Sequence, residues 1–343
     1  PGRPAMRVMS GHTGGSGTRK EASNMPETVA DIAKGCQAMK IGFEDAICYS
    51  GYREGQSPVE SVYPSYQEIY EDLDILKDNW KLLRLYDCSW HAEFVLEVIR
   101  NESLDLKVML GADMVAEEAN YNCPWGANYD EKTLIANRRE NSHEIDRLIS
   151  LANRYPDIVS SVSVGNEASV DWSDHLVSVE KLLSYVRRIK AAVKQPVTFC
   201  ENYVPWTNKL EPLAAELDFI SLHTYPVWEY QTIEGALDYT KQNYYSVANH
   251  YPDKPVVITE AGWTTCSNGR GIHPWNASQE FQATYYCELL DWCKEANILT
   301  FVFEAFDEPW KGSEDPHEPE KHWGIFTIDR KPKLVMQDIY AHL

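Results

Sequence analysis

The 343-residue chain has no apolar run near the roughly 20 residues that cross a bilayer, which excludes a transmembrane helix. Positive charge is scarce: 32 Lys and Arg stand against 52 Asp and Glu, a formal net charge of −20. That balance repels phosphate backbones and anionic lipid, so neither nucleic acid nor a membrane is expected as a partner. None of the eight cysteines forms a CxxC pair, which removes the zinc-ribbon and thioredoxin readings. Most lie in apolar segments, where buried free thiols are expected. The G-x-x-x-x-G-K-[ST] pattern is absent, and the glycine-rich GHTGGSGTRKEASN within residues 1–24 follows no strand, so a phosphate loop is excluded. Residues 1–24 are instead expected to be a disordered tail, with residues 25–343 forming one catalytic domain. HExxH and EF-hand patterns are missing as well, so no metal and no cofactor is expected.

Hydrophobic residues make up 43% of the chain, ample for a large core. Short apolar runs recur: DAICYS (45–50), KLLRLYD (81–87), LKVMLGAD (106–113), IVSSVSVGNE (158–167), PVTFCEN (196–202), LDFISLHTYP (217–226), PVVITEAGW (255–263) and ILTFVFEAFDE (298–308). Stretches of helical period lie between them, among them YQEIYEDLDILKDNW, HEIDRLISLANRY, VEKLLSYVRRIKAAV and QEFQATYYCELLDWCKEA. Eight such units with continuously apolar strands predict a single-domain α/β fold, the (β/α)8 TIM barrel. An open doubly wound sheet would carry a glycine-rich first turn, which is missing.

Chemistry in such barrels sits where the strands end at the C-terminal face. The residues at those ends are Ser50, Asp87, Asp113, Glu167, Glu201, His223, Glu260 and Glu304, six of the eight being carboxylates. Aromatic residues crowd the same ends: Tyr49, Tyr86, Trp206, Tyr225, Trp228, Trp263, Phe306 and Trp310. Flat rings stack on the C–H faces of a pyranose and carboxylates accept its hydroxyl protons, so the mouth suits a carbohydrate. A single acid at a strand end is more often a helix cap than a catalyst, but six with interleaved rings are harder to assign that way. Glu167 and Glu260 end strands 4 and 7, on opposite sides of an eight-stranded mouth, where two carboxyl groups can converge on one glycosidic bond.

The pieces VGNE (164–167), TEAGW (259–263), FEAFDEPWK (303–311) and EKHWGIF (320–326) resemble glycoside hydrolase family 17, the retaining β-1,3-glucanases and β-1,3-glucanosyltransferases of clan A. The resemblance covers most of residues 40–338. It implies Glu167 as acid/base and Glu260 as nucleophile. It further implies Asn166 on the 2-hydroxyl of the sugar, Tyr225 orienting Glu260, and Glu308 with Lys311 as a charged support beside the nucleophile. Tyr49 matches a tyrosine of the sugar-binding floor; Trp206 and Trp228 are expected as subsite platforms, and Trp263 and Glu304 as further substrate contacts. Strand 6 departs from the plant members, which commonly have Asn in place of His223, and the loops after strands 3 and 7 are long.

The expected reaction is double displacement on laminarin-type β-1,3-glucan. A glucanosyltransferase using the same residues is the alternative, and a glycan-binding barrel without chemistry is a weaker one, since both acids are present. A polymeric substrate implies a secreted or periplasmic enzyme. The chain is expected to act as a monomer.

Overall fold

The computed structural model describes residues 41–338; the expected tail at residues 1–24 lies outside them. Eight parallel strands close on themselves in chain order. They are β1 (Asp45–Cys48), β2 (Leu82–Leu85), β3 (Lys107–Gly111), β4 (Val159–Asn166), β5 (Val197–Asn202), β6 (Ile220–Thr224), β7 (Val256–Ala261) and β8 (Thr300–Val302). The helices are α1 (Tyr66–Leu76), α2 (Trp90–Asn101), α3 (Glu131–Arg154), α4 (Val179–Lys190), α5 (Tyr203–Trp206), α6 (Glu211–Glu216), α7 (Ile233–Ala248), α8 (Gln279–Ala296) and α9 (Leu334–Asp338). The TIM barrel predicted from the alternation of apolar runs and helical stretches is the fold found.

Local chemistry explains the boundaries. Ser65 and Glu68 form a reciprocal capping box at α1, and Ser89, Asp130 and Ser278 cap α2, α3 and α8. Asn297 ends α8 in the left-handed conformation that a short polar side chain tolerates. Two elements differ from expectation. Helix α3 begins twelve residues before HEIDRLISLANRY, because Asp130 starts it and the polar ANRRENS turns face outward with only Asn141 buried. Strand β8 is only Thr300–Val302, not the whole of residues 298–308, because the chain leaves the sheet at Phe303 to pair with the segment around Trp323.

Apolar side chains including Val162, Phe199, Leu222, Ile258 and Phe301 are fully buried between the sheet and its surroundings. Toward the mouth the register sets Cys48 beside Arg84, Asn202 beside His223, and His223 beside Glu260. The register slips between Ser163 and Asn166 on β4, between Leu222 and His223 on β6, and between Ile258 and Ala261 on β7. These irregularities fall at the C-terminal ends of the strands, where a local slip re-aims side chains toward the mouth. Cys48, Cys88, Cys200 and Cys293 are buried free thiols, as their apolar surroundings led one to expect.

Candidate active site

Glu167 sits one residue past β4 and has a φ of 46°, in the left-handed region that a glutamate rarely adopts. Gly165, with φ 113°, makes the turn before it; a Cβ there would press on Met114 Cγ at 3.1 Å. The Glu167 amide donates to the Cys200 carbonyl at 2.9 Å, and the His175 ring donates to the Asn166 carbonyl at 2.8 Å, so strand β5 and the loop after β4 hold this corner. The Glu167 side chain is 29% exposed, and its one side-chain partner is His223, whose Nδ1 lies 2.8 Å from Oε1.

Glu260, on β7, lies in different surroundings. Its Oε1 accepts from Arg84 Nη1 at 2.5 Å and from Tyr86 Oη at 3.0 Å, and its Oε2 accepts from Tyr225 Oη at 2.5 Å. His223 Nδ1 is 3.4 Å from the same Oε2. Burial alone would raise this carboxyl's pKa, but the charges of His223 and Arg84, with the Tyr225 and Arg84 hydrogen bonds, bring it down to about 2. Burial also opposes a charge on His223. There the charge of Glu260, contact with the Cys200 thiol, and the hydrogen bond and charge of Glu167 prevail and push its pKa up to about 10. The imidazolium is therefore a second buried cation, with its Nδ1–H between both carboxylates.

One oxygen of Glu167, one of Glu260 and a ring nitrogen of His223 all lie within 4.8 Å of one another. These are the one group of His, Cys, Asp or Glu side chains among the described residues close enough to gather round a metal ion. The donor set does not fit one well. Glu260 is already neutralised by Arg84, and His223 carries a proton on the very nitrogen that would have to coordinate.

A cavity of about 290 Å³ opens beside Glu260, lined among others by Tyr52, Asp87, Asp113, Asn166 and Trp310. That is at the small end of ligand-pocket size, roughly 300–1,000 Å³. Asn166 lines the cavity and accepts from Arg84 Nη2 at 2.5 Å through its oxygen. Glu308 and Lys311 line the same cavity, with Lys311 Nζ ion-paired to Glu308 and, at 2.9 Å, to Glu304. Burial, then the charge of Glu308, raises the Glu304 carboxyl well above the usual range, while Lys311 keeps Glu308 low despite its burial. One proton therefore rests on Glu304 and the charge on Glu308. The support for Glu260 itself comes directly from Arg84, Tyr86 and Tyr225.

Several expected contacts lie elsewhere. Trp206 has no accessible surface: its ring packs on Phe199 and its Nε1 donates to the Ser221 carbonyl at 3.0 Å. It is a core residue and not a platform, because the short α5 turns it back between β5 and β6. Trp263 is likewise inaccessible, with Nε1 on the Asn276 carbonyl at 2.8 Å, so it anchors a loop and touches no ligand. Tyr49 presents its ring to the cavity, but its hydroxyl donates to Asp72 at 3.1 Å on the far side. Trp228 is half-buried beside Trp323. Glu201 is fully buried and accepts from Ser169 N and Oγ at 2.9 and 2.7 Å, so it holds the loop after β4. Tyr86, just past β2, stood among the strand-end rings without a role, and Arg84 on β2 was missed altogether, although an arginine inside an otherwise apolar strand is a signal that a buried carboxylate awaits it.

Residues 46–324 match the family described as the BtgE/BtgC glycoside hydrolase domain. The chain belongs to that family. A glucan 1,3-beta-glucosidase of Arthroderma benhamiae is 24% identical over 283 residues, covering 77% of this chain and 82% of that protein. The chain spans 41% of the length of btgC of Aspergillus niger, at 27% identity. Among solved structures, an endo-laminarinase from Formosa Hel1_33_131 superposes with a TM-score of 0.74 at 27% identity, covering 87% of each chain. A glycoside hydrolase family 17 β-1,3-glucanosyltransferase from Rhizomucor miehei gives 0.66 at 24% identity, over 85% of this chain and 96% of that one, a likeness of fold.

Proposed function

We propose that this glycoside hydrolase is a family 17 enzyme that cleaves β-1,3-glucan with retention, Glu260 acting as nucleophile and Glu167 as acid/base. The observation that carries the reading is the pair of carboxylate oxygens within 4.8 Å, one on an ionised, fully partnered glutamate and one on a half-open glutamate. Retaining enzymes hold their carboxyl groups roughly 5–5.5 Å apart, whereas inverting ones need about 6.5–9.5 Å to admit a water. The spacing supports the first. The β-1,3 linkage is supported by the glucan 1,3-beta-glucosidase and endo-laminarinase relatives and by the motifs FEAFDEPWK and EKHWGIF.

Glu260 Oε2 attacks the anomeric carbon while Glu167 gives its proton to the departing glycosidic oxygen, leaving a glycosyl ester on Glu260. His223, facing both groups, stabilises the charge that appears on Glu167 as its proton leaves. Glu167 then takes a proton from the incoming hydroxyl, and the ester bond to Glu260 breaks. Asn166 faces the cavity and is placed to hold the 2-hydroxyl. No helix among the described residues is long and apolar enough to cross a membrane. A polymeric substrate favours action outside the cytoplasm, and the chain is proposed to act as a monomer.

The test is product analysis on end-labelled β-1,3-gluco-oligosaccharides of five and six units, beside E260Q and E167Q. Shorter products from the unmutated protein, and none from E260Q, are expected. Products longer than the substrate would transfer the assignment to a glucanosyltransferase. Inertness toward these sugars and laminarin would overturn the β-1,3 reading.

A further inference from the structure

We propose that Tyr230, His273 and Trp275, on the loops after β6 and β7, form an outer platform that grips a β-1,3-glucan chain beyond the catalytic pair. The inference rests on the glucan reading above and adds a site to it. Tyr230 is 68% exposed and Trp275 64% exposed, far more than ring-bearing residues need be. Single exposed aromatic residues are common on any protein and carry no message. These three instead stand in a row. The rings of His273 and Trp275 stack at 5.5 Å with only 12° between their planes, and Tyr230 meets His273 at 6.1 Å.

The row is held, not loose. Tyr230 has a φ of 58°, a left-handed backbone unfavourable to a bulky residue, and such conformations persist where the surroundings impose them. Asn276 Nδ2 donates to the Gln231 carbonyl at 2.8 Å, tying the two loops together, and the buried Trp263 Nε1 holds the Asn276 carbonyl. Gly271, with φ 73°, lies against the Trp228 ring so closely that a Cβ there would fall 2.4 Å from Cζ3. Only glycine lets the loop settle on that face.

A line of packed rings joins the platform's loops to the active site. From Glu260 the contacts run through the Tyr225 hydroxyl, the Tyr225 ring against Trp323 at 5.2 Å, and Trp323 against Trp228 at 6.1 Å. The loop bearing Gly271 and His273 then covers Trp228. In the closed barrel, β6 and β7 lie across the mouth from β2 and β3, whose ends line the cavity beside Glu260. A chain seated in that cavity and passing the two carboxylates leaves toward the platform. Flat ring faces suit the C–H faces of glucose units.

The test uses Y230A, W275A and the double variant, none of which touches the catalytic groups. Kinetics are compared on laminaritriose and on polymeric laminarin, with melting temperature as a control for folding. On laminarin the double variant is expected to lose roughly tenfold in kcat/KM through KM, with kcat unchanged and triose kinetics within about twofold of the parent. Equal kinetics on laminarin, or an equal loss on both substrates, would overturn the platform. Electrophoresis through laminarin gels in the E260Q background separates this from the parent reading. If E260Q is retarded and the added W275A abolishes the retardation, the platform stands even where the unmutated enzyme fails to cleave. If neither protein is retarded, it falls.

Discussion

The two glutamates differ by environment more than by position. Glu260 is 7% exposed at its side chain, accepts from three side chains and faces two cations; Glu167 is 29% exposed and has His223 alone. Oxygens within 4.8 Å of one another would make two equivalent carboxylates compete for one proton. Here the surroundings differ: Arg84, Tyr86 and Tyr225 hold Glu260 in its charged form, while among the described residues Glu167 meets only the His223 side chain. On the proposed mechanism that difference assigns the nucleophile and the acid through partners that neither glutamate's own sequence neighbours contain.

The most severe way to break the contrast is E260Q, which removes the nucleophile and should lower kcat by roughly 10⁴-fold or more. E167Q is expected to be as damaging on glucan but to keep glycosylation of an aryl β-glycoside whose leaving group needs no proton. Equal loss of both variants on both substrates would remove the assigned roles. Next comes R84A, which leaves Glu260 buried without the guanidinium that donates to its Oε1. It should cost about 3–5 kcal/mol of stability in denaturant unfolding. Its kcat should also fall, on the order of 10²–10³-fold. An R84A enzyme of normal stability and rate would show that the ion pair matters little.

H223Q sharpens the comparison from the shared side. It removes the cation between the glutamates, so we expect kcat to fall roughly 10²-fold and the acid limb of the pH–rate profile to move upward, because Glu260 loses part of what holds it at about 2. The same residue sets a stability prediction. Its folded pKa of about 10 exceeds the ordinary value of 6.5, so its contribution is complete below pH 6.5 and fades as pH rises through about 10. For Glu260 the sign is opposite: its contribution is present above its ordinary value of 4.5 and is lost as pH falls toward 2. Melting temperature against pH, parent beside H223Q, should show the alkaline decline only in the parent. The smallest functional effect separates two tryptophans. W310A, at the cavity, should raise KM several-fold, while W206A, in the core, should leave KM alone and destabilise by about 3–5 kcal/mol.

The barrel was legible because eight apolar runs separated by helical period admit few other solutions. Six acids end such runs, and Glu167 and Glu260 stood apart because strands 4 and 7 face each other across the mouth. Arg84 escaped the same reading, which looked past each strand end and not inside the strand, although it is the single charge inside the apolar LLRL and is buried. Trp206 and Trp263 were misjudged for a converse reason. A ring at a strand end is equally placed to face a sugar or the core, and its direction depends on turns such as α5 that periodicity does not reveal. Strand β8 was read too long because the buried run from Phe303 to Phe306 looks the same in sequence whether it pairs with β7 or with the returning segment near Trp323.

The central claim is that the two glutamates work by double displacement, and the anomer first released reports on it directly. Proton NMR of a laminari-oligosaccharide digest, read before mutarotation, is expected to show the new reducing end in the β form. An initial α product would mean a single inverting step and would contradict the account, whatever the distance between the carboxylates.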